Sequence, residues 1–218
     1  MKRLLFLITM LLLSACSTTQ IVENWKNPDI DTYEPFKVLV VGMTSNNEAR
    51  QKFEQQLKNE LEARGSQAVM SLDYFDASLT AENITEASLK KLEYNLIKDG
   101  FDTILFTKVI GVENKVVYKK SYTDDDNTHR KFRDEYLKYQ AIYIDPGYYD
   151  EYNVFHAETS MYCICPTKER ELIWKGYIDI MDPISIDETV NDYVRLAIVV
   201  LEEQQLIGPI ASKDGIKN

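Results

Sequence analysis

The run Phe36-Lys37-Val38-Leu39-Val40-Val41-Gly42-Met43 constrains this chain more than any other stretch. Only Lys37 and Gly42 interrupt its apolar character. A strand with one wet face alternates apolar and polar residues, whereas a nearly unbroken apolar strand needs cover on both faces. The run therefore predicts a central strand of an α/β sheet with helices on either side. Ser45 and Glu48 then stand three apart as a capping box, and Ala49, Phe53, Leu57 and Leu61 recur every four residues as one apolar helical stripe. Gly65 ends that helix as a C′ glycine. Residues 67–72 read as a second strand, followed by a loop with Tyr74, Phe75 and Asp76. Residues 86–99 read as a second helix, with Leu89, Leu92 and Leu96 inward and Gly100 as its stop. Residues 101–110 read as a third strand. The β-α-β-α-β order implies parallel pairing in this half.

The second half has a different rhythm. Gly111 turns the chain into residues 112–122, which alternate like a strand with one solvated face. Residues 123–150 are charged, then tyrosine-rich, with a turn at Asp145-Pro146-Gly147 and a short strand expected over 139–144. Two long strand patterns follow, 150–165 and 171–181, joined by a hairpin turn at Pro166-Thr167-Lys168-Glu169. Leu172, Trp174, Ile178 and Ile180 share one face of the second, and Asp182-Pro183 stops it. Ser185 and Glu188 form another capping box. A final helix over about 187–206 carries Val190, Tyr193, Val194, Ala197, Ile198 and Leu201, and Gly208-Pro209 ends it. The expected fold is α/β: a single mixed sheet, parallel in its first half and antiparallel in its second, with the C-terminal helix packed on it. The expected domain is 36–208, with a Tyr-rich insertion at about 123–150 and a polar tail at 209–218.

Ahead of this domain stands a leader. Lys2 and Arg3 form a basic start, residues 4–13 are apolar except Thr9, and the small residues Ser14 and Ala15 precede Cys16. That order is a secretory signal peptide over 1–15. Its apolar run is too short for a membrane-spanning helix, which needs about 20 residues. Leu13-Ser14-Ala15-Cys16 resembles the lipobox of bacterial lipoproteins. That resemblance implies that the chain is cut before Cys16, that the cysteine is acylated, and that 16–35 is a lipid-anchored tether. Trp25 is unusual in a linker and is expected to dock on the domain. Ser17 follows the cysteine, where the family's inner-membrane retention signal would be Asp, so the resemblance points to the outer membrane.

The net charge of -10 becomes -12 once a leader with two cations and no acids is removed. A chain this acidic is a poor nucleic-acid binder, because that affinity comes mostly from Lys and Arg on phosphates. It would not adhere electrostatically to anionic lipid either, so the acyl anchor is the expected membrane attachment. An apolar content of 44% argues for a packed core rather than disorder.

Several motifs together resemble a family of bacterial envelope lipoproteins of unknown function. They are Trp25-Lys26-Asn27-Pro28, the strand Val38-Leu39-Val40-Val41-Gly42, Arg50 with Phe53-Glu54, Ala63-Arg64-Gly65, Glu158-Thr159-Ser160-Met161-Tyr162 and Leu172-Ile173-Trp174. The wider group is similar to the α/β domains of the curli-export lipoprotein and related accessory lipoproteins. Cys163 stands where the pattern more often has Asp. The resemblance brings no catalytic residues with it.

Gly42 before a capped helix invites an anion, but the chain has no Gly-Lys-Ser/Thr and the expectation is an ordinary βα turn. Asp124, Asp126, Thr128 and Glu135 fall at calcium-loop positions, yet His129 replaces the required glycine and Arg130, Lys131 and Arg133 crowd the loop. No metal and no cofactor are expected. Cys163 and Cys165, two apart on a strand, would have Cα atoms roughly 6.6 Å apart. The expectation is two small apolar residues on one face rather than a disulfide or a zinc pair. His129 and His156 have no evident nucleophile partner. Eight of the fourteen tyrosines fall between 118 and 152. Tyrosine favours interfaces, and packing of the insertion onto the sheet is an equally weighted reading. If the insertion is a binding surface, Tyr143, Tyr148, Tyr149 and Tyr152 lead it. The expected function is a non-enzymatic, outer-membrane-anchored binding or accessory module whose partner is an envelope protein or a wall component. The alternatives are a hydrolase-like site in the loop region or a self-assembling export component.

Overall fold

The computed structural model describes residues 19–75, 85–118, 149–165 and 171–210. Among the described residues, six strands and four helices occur in the order β1 (Thr19–Lys26), β2 (Lys37–Met43), α1 (Asn47–Glu62), β3 (Gln67–Met70), α2 (Ser71–Tyr74), α3 (Glu86–Lys98), β4 (Thr103–Tyr118), β5 (Tyr149–Cys163), β6 (Glu171–Met181) and α4 (Ile186–Glu203). The strands form one sheet in the order β1-β6-β5-β4-β2-β3. β2 pairs parallel with β3 and β4, and every other pairing is antiparallel. The mixed α/β sheet, with its parallel first half and its packed C-terminal helix, is the architecture the periodicity predicts.

β2 is buried on both sides, and its alternation sorts the core. Val38 and Val40 join Phe53, Leu57 and Leu61 of α1 and Val194, Ala197 and Leu201 of α4 on one face. Leu39 joins Leu96 of α3, Phe101 and Ile164 on the other. α1 and α4 lie together on the first face, tied by an edge-to-face contact between Phe53 and Tyr193 at 5.8 Å. Gln56 also bonds Asn191 at 2.8 Å.

Four expectations change. The stretch read as a tether supplies an edge strand: β1 pairs with β6 from Thr19↔Ile180 to Lys26↔Trp174. The chain after it is pinned as well. The Asn27 N–H donates to Ile173 O at 2.8 Å, the Lys26 ammonium to Gln204 O at 2.7 Å, and Tyr33 shares a 2.7 Å bond with Thr103. These polar residues read as linker because an edge strand needs few apolar side chains. Trp25 remains 40% exposed. Second, the cap of α1 is Asn46, whose Oδ1 accepts from Ala49 N at 3.0 Å, so the helix starts one residue later than a Ser45 box requires. The Ser185 cap on α4 does accept from Glu188 N. Third, the strands read as 101–110 and 112–122 are one, β4, kinked by a bulge between Val109 and Gly111. Fourth, residues 71–74 form the single turn α2. The strand expected over 139–144 and the hairpin turn at 166–169 lie outside the described residues.

The two cysteines also depart from expectation. Cys163 and Cys165 form a disulfide with Cα atoms 5.4 Å apart. β5 stops at Cys163, and Ile164 N–H donates to Asp102 O at 2.8 Å. The chain therefore leaves the extended path, and the Cα separation falls below the value that placed the pair at the margin of disulfide geometry.

Candidate functional site

In an open parallel sheet, crevices form past the carboxyl ends of the strands where successive connections leave in opposite directions. β2, β3 and β4 create that situation. The chain passes from β2 over one face through α1 to β3, then over the other face through α3 to β4 on the far side of β2. Beside the carboxyl end of β2 and the middle of β4 lies a cavity of about 110 Å³. It adjoins a shallower hollow of about 280 Å³ that reaches the start of α4. Gly42, Met43, Thr107 and Val109 come from the parallel strands, Ala157 and Ile180 from β5 and β6, Arg50 and Phe53 from α1, and Thr189, Val190 and Tyr193 from α4. Phe155, Ile184 and Ile186 extend the apolar wall.

A buried carboxylate builds the α1 side. Glu54 has no exposed surface, yet it meets four donors. Its Oε1 accepts from Gly42 N at 2.9 Å, Arg50 Nε at 3.0 Å and Ser71 Oγ at 2.7 Å, and its Oε2 accepts from Leu72 N at 3.0 Å. Arg50 also donates to Ser71 Oγ at 2.9 Å. This saturation is what makes a buried charge tolerable, and it locks β2, α1 and α2 together. Arg50 then turns its stem to the cavity. On the floor, hydroxyls link Thr107, Thr159 and Tyr193 at 2.7 and 2.8 Å. Burial drives the Tyr193 phenol far above its ordinary range, so it is a neutral hydrogen-bonding group. Thr189 borders both hollows, and its Oγ1 is buried without a hydrogen-bond partner. The almost wholly apolar walls suit the reception of an apolar group.

The opposite face of the sheet holds a polar row. His156 Nδ1 lies 2.7 Å from Asp179 Oδ1, and its Nε2 lies 3.6 Å from Glu113 Oε2. Lys108 pairs with Glu158 at 3.0 Å, and Ser160 Oγ donates to Glu158 at 2.9 Å. Burial alone would raise the Glu158 carboxyl, but the Lys108, Ser160 and Tyr177 hydrogen bonds outweigh it and hold the group below the usual carboxylate range. His156 thus has a carboxylate neighbour that sequence order did not reveal, and the nearby Ser160 hydroxyl is committed to Glu158.

Of the residues singled out from sequence, Cys16, Tyr143, Tyr148, His129 and the segment Asp124–Glu135 lie outside the described residues. Tyr149 opens β5 opposite Tyr118, and Tyr152 faces Lys115 across the ladder. Both stand on the part of the β4–β5 ladder that runs beyond Met181, the last residue of β6. Sequence reasoning passed over Arg50, Thr189 and Phe155. The available signal was Gly42-Met43-Thr44 at the end of a doubly covered strand, the usual rim of such a crevice.

No family model matches the chain, and no curated protein matches it. Among solved structures it is similar to the PelC dodecamer from Paraburkholderia phytofirmans, at 11% identity over 86% of this chain and 97% of that one, with a TM-score of 0.44. It is also similar to lipoprotein GNA1162 from Neisseria meningitidis, at 11% identity over 78% of this chain and 99% of that one, with a TM-score of 0.41.

Proposed function

We propose that this chain is a lipoprotein of the bacterial outer membrane, acylated at Cys16 and facing the periplasm. It acts there as a non-enzymatic binding or accessory module for another envelope protein or a wall component. The observation that carries the anchor is Leu13-Ser14-Ala15-Cys16 followed by entry into the sheet at Thr19. The binding role is supported by the crevice, whose walls are apolar and whose buried Glu54 and Tyr193 are consumed by structure. Feeding cells a clickable palmitate analogue should label the wild type and not Cys16→Ala, and equal labelling would remove the anchor. A photocrosslinking residue at Met43 or Tyr152 should capture one dominant envelope component in living cells. Detection of a turnover abolished by His156→Ala would replace this reading with an enzymatic one.

A further inference from the structure

The register of β1 carries information about orientation. Thr19 is the first residue of β1 and pairs with Ile180, so β1 begins where β6 ends. Ile180 also pairs with Phe155 of β5, Phe155 with Val112 of β4, and Lys108 with Met43, the last residue of β2. The start of β1 therefore lies at the crevice end of the sheet. Cys16 precedes Thr19 by three Cα steps, which span at most ~11 Å. Acyl chains on Cys16 would hold that end of the sheet within about one headgroup layer of the hydrocarbon.

That end also bears a group of exposed large apolar side chains. Ile184 is 81% exposed, and the exposed Val109 lines the same hollow; Met43 borders the adjoining cavity with Val109, and Ile110 follows Val109 in β4, both exposed as well. Ile184 sits in the turn between β6 and α4, two residues before the helix begins. The β4–β5 ladder leaves the body at the same end, two strands from β1. The apolar group thus spans the corner from the turn after β6 across β4 to the end of β2. We infer that this corner rests on the leaflet holding the chain's own acyl anchor, with Ile184 and its neighbours inserted at the headgroup boundary. The inference rests on acylation of Cys16 as proposed above. The occupant is lipid because the short reach from Cys16 brings bilayer to this surface. The contact is apolar rather than electrostatic, because charges at this end are matched in pairs, Glu113 with Lys115 and Asp187 with Lys52.

The test uses the full acylated protein in phosphatidylethanolamine–phosphatidylglycerol vesicles. An environment-sensitive fluorescent amino acid is placed at Ile184 or at Lys98, which ends α3 at the far end of the sheet. Lipids brominated near the carbonyl should quench the probe at 184 about twofold and leave the probe at 98 unchanged, as expected for interfacial insertion. Raising the salt concentration should not release the quenching. Equal quenching at both positions, or none at 184, overturns the docking while leaving the anchor intact. Mass spectrometry of the same sample reports the acyl group on Cys16, and its absence overturns the anchor and the docking together. Blue-shifted emission at 184 in acylated protein before vesicles are added would assign the crevice to an acyl chain and overturn the bilayer contact.

Discussion

Single residues in this protein divide into those whose role follows from type and those whose role follows from neighbours. Glu54 belongs to the second kind: a glutamate one residue after Phe53 reads as a solvated helix position, yet it ends with no exposed surface and four donors. Removing it leaves Arg50 Nε, the Ser71 hydroxyl and two backbone N–H groups without their acceptor. Glu54→Ala should therefore cost about 3 kcal/mol in urea denaturation, with Glu54→Gln costing less. Thr189 predicts the opposite sign. Its hydroxyl is buried without a partner, so the isosteric Thr189→Val should leave stability unchanged or raise it by up to ~1 kcal/mol. A loss larger than that would show that the hydroxyl is bonded. Gly176 tests packing: an added Cβ would lie 2.5 Å from the fully buried Trp174 ring. Gly176→Ala should therefore lower the melting temperature more than Gly42→Ala, whose tightest contact is 3.1 Å to Phe53. Alkali should act through the tyrosines. Burial raises Tyr33 to about 12 and Tyr74 to about 12, and raises Tyr193 further. The unfolded chain ionises first, so stability is intact below pH ~10 and falls as pH rises through the folded values. Tyrosinate absorbance and the loss of the native Trp174 signal should then rise together.

At the scale of elements, periodicity located the apolar strands and helices because burial on a fixed face leaves a repeating mark. It did not locate β1. An edge strand with one partner and much solvent contact carries Gln20, Glu23 and Asn24, and these read as linker. The consequence is testable: Ile21→Asp, which puts a charge beside the core packing of β6, should destabilise the whole domain by about 2 kcal/mol. A dangling tether would absorb the same change without effect. The joining of β4 across Gly111 has a similar origin, since a glycine at a bulge looks like a turn in sequence. The end of β5 decides the cysteines, because only the turn after Cys163 brings Cys165 within bonding distance. Denatured, unreduced acylated protein should therefore show no reactive thiol, and reduction should expose two.

For the whole molecule, the organising fact is that the crevice, the start of β1 and the exit of the β4–β5 ladder share one end of the sheet. Local pattern determined most of the secondary elements, the α/β class and the parallel order of the first half, because each is a matter of residue type at short spacing. Register and packing determined the rest: which edge the N-terminal strand takes, how Arg50 and Thr189 come to line one cavity, and which cysteine path closes a bond. The same is true of the end of the domain that the acyl anchor would hold. Those features arise between residues far apart in the chain, and their energies depend on desolvation and contact that exist only once the sheet has assembled.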